Sequence, residues 1–91
     1  MADYRVTPEF MEVYESLPDD LVAVVDETVA RLFADHTRPW ARRDRIVGAT
    51  GGAWVIDFHT RDVGLTLYWD YGDHRMILLI LLLARRSPTE R

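Results

Sequence analysis

The spacing of apolar residues changes period several times along the chain. Tyr4 and Val6 fall on one side of the stretch DYRVT, the alternation of a short strand. From residue 7 the period lengthens. Phe10, Val13, Tyr14 and Leu17 recur at helical spacing, after Thr7 as a candidate cap and Pro8 at a first helical position. Pro18 interrupts that stripe. A second one then follows through Leu21, Val24, Val25, Thr28, Val29 and Leu32, opened by Asp19 and Asp20, where a helix dipole favours anions. Pro39 closes it, and residues 38–52 read as a basic, glycine-containing connection.

The period then drops to two. AWVIDFH sends Trp54, Ile56 and Phe58 to one face and Val55, Asp57 and His59 to the other. GLTLYWDY sends Leu65, Leu67 and Trp69 one way and Thr66, Tyr68 and Asp70 the other. Turn residues separate these segments, with Gly72 and Asp73 in the second turn. Last comes an unbroken apolar run, Met76 to Ala84, leading into Arg85 and Arg86. As a helix it would rise only about 13 Å, far short of the ~30 Å hydrocarbon core of a bilayer. As a strand it suits the middle of a sheet, and apolar side chains on both sides predict that both faces are covered.

These elements predict a single α+β domain over 1–91 with order β-α-α-β-β-β. A small, mostly antiparallel sheet would carry an N-terminal helical hairpin on one face. The hydrophobic faces of the two central strands suit the helix layer. Asp57, His59, Thr66, Tyr68 and Asp70 then mark an open or ligand-facing surface.

Composition refines this picture at three points. The chain has no cysteine, which removes disulfides and thiolate metal sites and fits a reducing compartment. MADYRV shows no basic stretch followed by an apolar one, so the expected location is cytoplasmic, with no membrane partner. Net charge is −4 and unevenly placed. Residues 1–35 hold nine acids against two arginines, whereas residues 36–91 hold nine arginines against six acids. Anion binding is therefore expected on the second part.

In order along the chain, TPEF, the SLP between the helices, AWVIDF, GLTLYWDYGD and the apolar strand ending in ARRSPT resemble segments of the RelE/ParE toxin superfamily. The similarity spans nearly the whole chain and is nearest to the phage-derived, HigB-like branch. It implies a RelE-like fold and a toxin of a type II toxin–antitoxin system. RelE-like members cut mRNA in the ribosomal A site; ParE-like members inhibit DNA gyrase without nuclease activity. A third alternative is a member that keeps the fold and the antitoxin partner but has no activity. The partners implied are a cognate antitoxin, forming a hetero-oligomer, and the ribosome and mRNA for an active toxin.

Metal-free RNA cleavage requires a base for the 2′-hydroxyl, cations for the phosphorane and an acid for the leaving 5′-oxygen. Arginine suits the middle role through its planar donors. Arg85 and Arg86 match the family's basic pair; a solvated strand end that discourages aggregation is the structural alternative. His59 is the acid–base candidate, since imidazole titrates near neutrality, and a surface histidine is its alternative. Asp57 shares that face and is placed to orient His59 or to act as base. Thr66 stands where the family commonly carries arginine, and Arg61 in the adjoining turn is the expected substitute. Tyr68 could stack on a base or pack in the core. Arg42, Arg43 and Arg45 form a cluster suited to phosphate, or to a solvated loop balanced by Asp44. Trp40 beside them suits base stacking or loop anchoring. No metal site is read from the His, Asp and Glu spacing, no cofactor is implied, and GATGG lacks the Lys-Ser/Thr of a phosphate loop.

Overall fold

The computed structural model describes residues 4–48, 51–60 and 63–86, Arg86 by its backbone alone. Strand β1 (Tyr4–Val6) leads into helix α1 (Pro8–Ser16) and helix α2 (Asp19–Asp35). Four more strands follow: β2 (Asp44–Gly48), β3 (Gly51–Thr60), β4 (Val63–Tyr71) and β5 (Ile77–Arg86). Short 3-10 turns lie at Pro39–Ala41 and Asp73–Arg75. The result is α+β, with two helices and a mixed five-stranded sheet in the order β1-β5-β4-β3-β2. β1 runs parallel to β5, and the other neighbours are antiparallel.

The expected order lacked one strand. β2 lies within the segment 38–52 that reads as a connection, because DRIVG carries no alternation to betray it. All five of its residues are exposed, so neither face needed to be consistently apolar.

Helix α1 starts where the caps require. The Thr7 hydroxyl accepts from the Phe10 amide at 3.1 Å, and Pro8 occupies the first turn. The same hydroxyl donates to the Ile80 carbonyl at 2.5 Å, and the Thr7 amide donates to the Leu79 carbonyl at 3.1 Å. One side chain thus caps α1 and fastens it to β5. Thr7→Ala removes the cap and leaves a part-buried carbonyl without its donor, a combined cost of about 2 kcal/mol. Thermal unfolding should show a midpoint roughly 8–16 °C lower, with Thr7→Ser close to wild type.

Phe10 of α1, Val25 and Leu32 of α2, and Ile56, Leu65, Leu67, Trp69, Ile77, Leu79 and Leu82 of the sheet share one buried core. The alternation holds from Trp54 to Phe58 in β3 and from Leu65 to Trp69 in β4; beyond it Ala53 is buried on the Val55 side, and Asp70 meets Arg45 beside Trp54. Trp54 stands opposite Trp69, Ile56 opposite Leu67, and Phe58 opposite Leu65.

β5 behaves differently. Its pairing with β4 slips at Tyr68/Trp69, where Leu81 and then Leu79 serve as partners and Ile80 is left over. That extra residue is a β-bulge, and it reverses the parity of the strand. Ile77 and Leu79 are buried before it, and Leu82 is buried after it. Nor are both faces covered as expected. On the side away from the core Leu78 and Leu81 are half-buried and Leu83 is 40% exposed. Among the described residues no helix is long and apolar enough to cross a membrane.

Candidate functional site

Cross-strand register assembles the polar face row by row. His59 of β3 stands opposite Gly64 of β4, which stands opposite Arg85 of β5. In the next row Asp57 faces Thr66, and beyond that Val55 faces Tyr68. Directly opposed residues project to the same side of a sheet, so these side chains rise together. They border a cavity of about 410 Å³, lined by Val55, Asp57, His59, Gly64, Leu65, Thr66, Tyr68 and Arg85.

The bulge at Ile80 is what brings Arg85 there. In an unbroken alternation from Ile77 and Leu79, position 85 would share the core side. The extra residue turns the strand over, so Leu82 fills the core and Arg85 reaches the open face.

Inside this face the Thr66 hydroxyl donates to Asp57 Oδ1 at 2.8 Å. That bond occupies Oδ1, and among the described residues no hydrogen bond to Oδ2 is present. The His59 ring packs beside Gly64: a Cβ added there would meet its Cδ2 at 3.5 Å and its Nε2 at 3.6 Å, ordinary contact distances. Neither Thr66 nor Gly64 stood out in the sequence as a partner of these groups. The antiparallel register of β3 with β4 is what sets Asp57 against Thr66 and His59 against Gly64.

The arginines divide. Arg43 lines a second cavity of about 230 Å³ with Trp40, Asp44, Val55, Ile56 and Asp57; it adjoins the first through Val55 and Asp57. Arg45 stands opposite Trp54, on the other side of the sheet from Asp57, with its guanidinium 4.4 Å from the Trp54 ring and 3.7 Å from Asp70 Oδ2. Arg42 is held still more closely. Its Nε donates to the His36 carbonyl at 2.9 Å, and its terminal nitrogen donates to the Tyr71 hydroxyl. It also lies 5.2 Å from the Trp54 ring. Arg42 and Arg45 therefore tie the loop and β2 to an aromatic cluster and stand apart from the Asp57–His59 face. Trp40 packs under Arg31 at 4.5 Å and donates to Asp35 at 3.3 Å, which makes it a loop anchor. Arg61 lies outside the described residues. Arg86 is placed by its register opposite Val63, and its side chain lies outside them too.

Another cavity, of about 380 Å³, opens between β1 and the helices, among Tyr4, Phe10, Met11, Val29 and Phe33. Its walls are apolar apart from Tyr14 and Asp26, which satisfy one another at 2.6 Å. The Asp26 carboxylate that accepts this bond, with burial second, pushes the Tyr14 hydroxyl above its usual pKa. The candidate side chains Asp57, His59, Tyr68 and Arg85 converge instead on the face of β3, β4 and β5. Among the described residues no cluster of His, Asp or Glu has the arrangement of a metal site.

No protein-family model matches the chain, and no curated protein and no solved structure matches it.

Proposed function

We propose that this chain is the toxin of a type II toxin–antitoxin pair, a RelE/HigB-like endonuclease that cuts mRNA on the ribosome. The observation that carries the reading is the convergence of Asp57, His59, Tyr68 and Arg85 on one open cavity, from three separate strands. The finer fold, a helical hairpin laid over one face of a RelE-like sheet, belongs to the same proposal. So do the cytoplasmic setting and the antitoxin as partner.

The chemistry follows from the side chains. Asp57 takes the proton of the ribose 2′-hydroxyl through the oxygen that Thr66 leaves free. The 2′-oxygen attacks phosphorus, and the bond to the 5′-oxygen breaks. His59, in its protonated form, supplies the proton to that leaving oxygen. The products are a 2′,3′-cyclic phosphate and a free 5′-hydroxyl. Arg85 donates to the phosphorane oxygens, and Arg43 extends the cationic border from the adjoining cavity. Tyr68 offers a ring on which a base can stack. No metal or cofactor enters these steps.

Induction in growing cells, followed by mapping of mRNA 5′ ends, tests the proposal. Cuts phased with the reading frame are expected, and Arg85→Ala should abolish growth arrest at equal protein level. Unchanged toxicity in that variant would remove Arg85 from the mechanism.

One observation favours a second reading. Arg42 and Arg45 are committed to Trp54, Tyr71 and Asp70, which leaves fewer cations for RNA. A ParE-like, non-enzymatic inhibitor has no need of them. Gyrase supercoiling blocked by purified protein, with transcripts intact, would select this reading. Harmless overexpression without any antitoxin would select an inactive member that only binds its partner.

A further inference from the structure

We propose that β2 is a self-association edge: two copies of this chain pair their Asp44–Gly48 strands antiparallel across a twofold axis, joining two sheets into one. This inference is independent of the reaction proposed above.

Among the described residues β2 is the last strand of the sheet and is bonded only to β3. Ile46 is 50% exposed and Val47 is 78% exposed, on opposite faces of the same strand. Exposed edges are ordinarily guarded by proline, a bulge or an outward charge, because their unpaired backbone groups template another strand. β2 contains no proline, and its register with β3 runs without a break from Asp44↔Val55 to Gly48↔Gly51. Its arginine does not guard it either, since Arg45 lies back over Trp54 toward Asp70. Gly52 provides the room, for a Cβ there would come within 2.8 Å of the Arg45 guanidinium. The opposite edge of the sheet is unlike this one: β1 has three residues, and Tyr4 packs on the Phe33 ring at 4.9 Å.

The direction of the backbone groups selects the partner. The Ile46 carbonyl points at β3, where a Gly52 Cβ would lie 2.9 Å from it. Successive residues alternate, so the carbonyl and amide groups of Arg45 and Val47 point outward. Two antiparallel copies can bond only through those outward groups. One such register places Arg45 opposite Val47 of the other copy, with Ile46 opposite itself. All five residues of each strand are then paired, Ile46 covers Ile46, and Val47 lies beside the aliphatic stem of Arg45. The alternative in-phase registers set Arg45 against Arg45 or leave part of the strand unpaired. The strand is self-complementary in one register, as a twofold interface requires.

The chain has no cysteine, so single-cysteine variants report this geometry cleanly. In the proposed register the two Ile46 positions form a non-hydrogen-bonded pair, with Cα atoms about 4.5 Å apart, within reach of a disulfide. Sedimentation of the full chain over a concentration series should show a reversible dimer. Mild oxidation should link Ile46→Cys across the axis rapidly and Val47→Cys several-fold more slowly. Ile46→Lys, at an exposed site, should be a folded monomer with an unchanged circular dichroism spectrum. A wild-type monomer at every concentration would overturn the proposal. So would a dimer that survives Ile46→Lys, or one in which the two cysteines link at equal rates.

Discussion

Trp69→Ala should unfold most readily of all single replacements in this sheet. Trp69 is 0% exposed, its ring centroid lies 4.9 Å from that of Trp54 and 5.2 Å from that of Tyr71, and its indole N–H donates to the Ala41 carbonyl at 3.0 Å. Truncation removes a large buried surface and leaves a cavity, together about 3–5 kcal/mol. It also deprives the Ala41 carbonyl of its donor, and Ala41 is itself fully buried. Domains of this size hold about 5–15 kcal/mol in all, so much of the stability goes. A melting midpoint lower by roughly 15–30 °C is the expected result. Trp69→Phe keeps the ring packing and loses the hydrogen bond, and should fall much less. A shift of only a few degrees for the alanine variant would mean that the aromatic cluster does not anchor the 38–42 loop.

The second large effect falls on activity and spares the fold. His59 is exposed and contributes nothing to the buried core, so His59→Ala should melt within about a degree of wild type. As a general acid its loss should lower the rate of transcript cleavage about 10²–10⁴-fold. Asp57→Asn should act comparably, because an amide keeps the Thr66 bond but takes no proton. Cleavage on purified ribosomes, with thermal melting beside it, reads the loss of rate apart from any loss of fold. Cleavage by His59→Ala at the wild-type rate would end the proton-transfer assignment.

How far the sequence disclosed these features depended on whether a local period was present. β3 and β4 alternate with one apolar face, so the assignment of Trp54, Ile56, Leu65, Leu67 and Trp69 to one side and Asp57, His59 and Tyr68 to the other follows from spacing. Helices α1 and α2 were equally legible from their stripes and from Thr7, Pro8 and Pro18. β2 was not, because an edge strand with both faces in water leaves no hydrophobic signature. The fate of the neighbouring arginines was hidden for a related reason. Whether Arg42, Arg43 or Arg45 meets the polar face depends on how the loop rides over Trp54 and Tyr71, which is a tertiary matter. In β5 the uniformity of Ile77 to Leu83 concealed the bulge, and with it the side on which Arg85 emerges.

That odd residue at Ile80 has a wider meaning. It couples two requirements that proteins usually satisfy separately: tight filling of the interior by Leu82, and delivery of the Arg85 guanidinium to the open face five positions after Ile80. Removing Ile80 itself would close the bulge: Leu81 would follow Leu79 in regular pairing, with Leu82 still inside and the Arg85 guanidinium still outside. A further residue inserted after the slip has no such slot to fill, and must be taken up by a second bulge or exchange inside for outside from there to Arg85. The strand can therefore be shortened by one at this point far more safely than it can be lengthened.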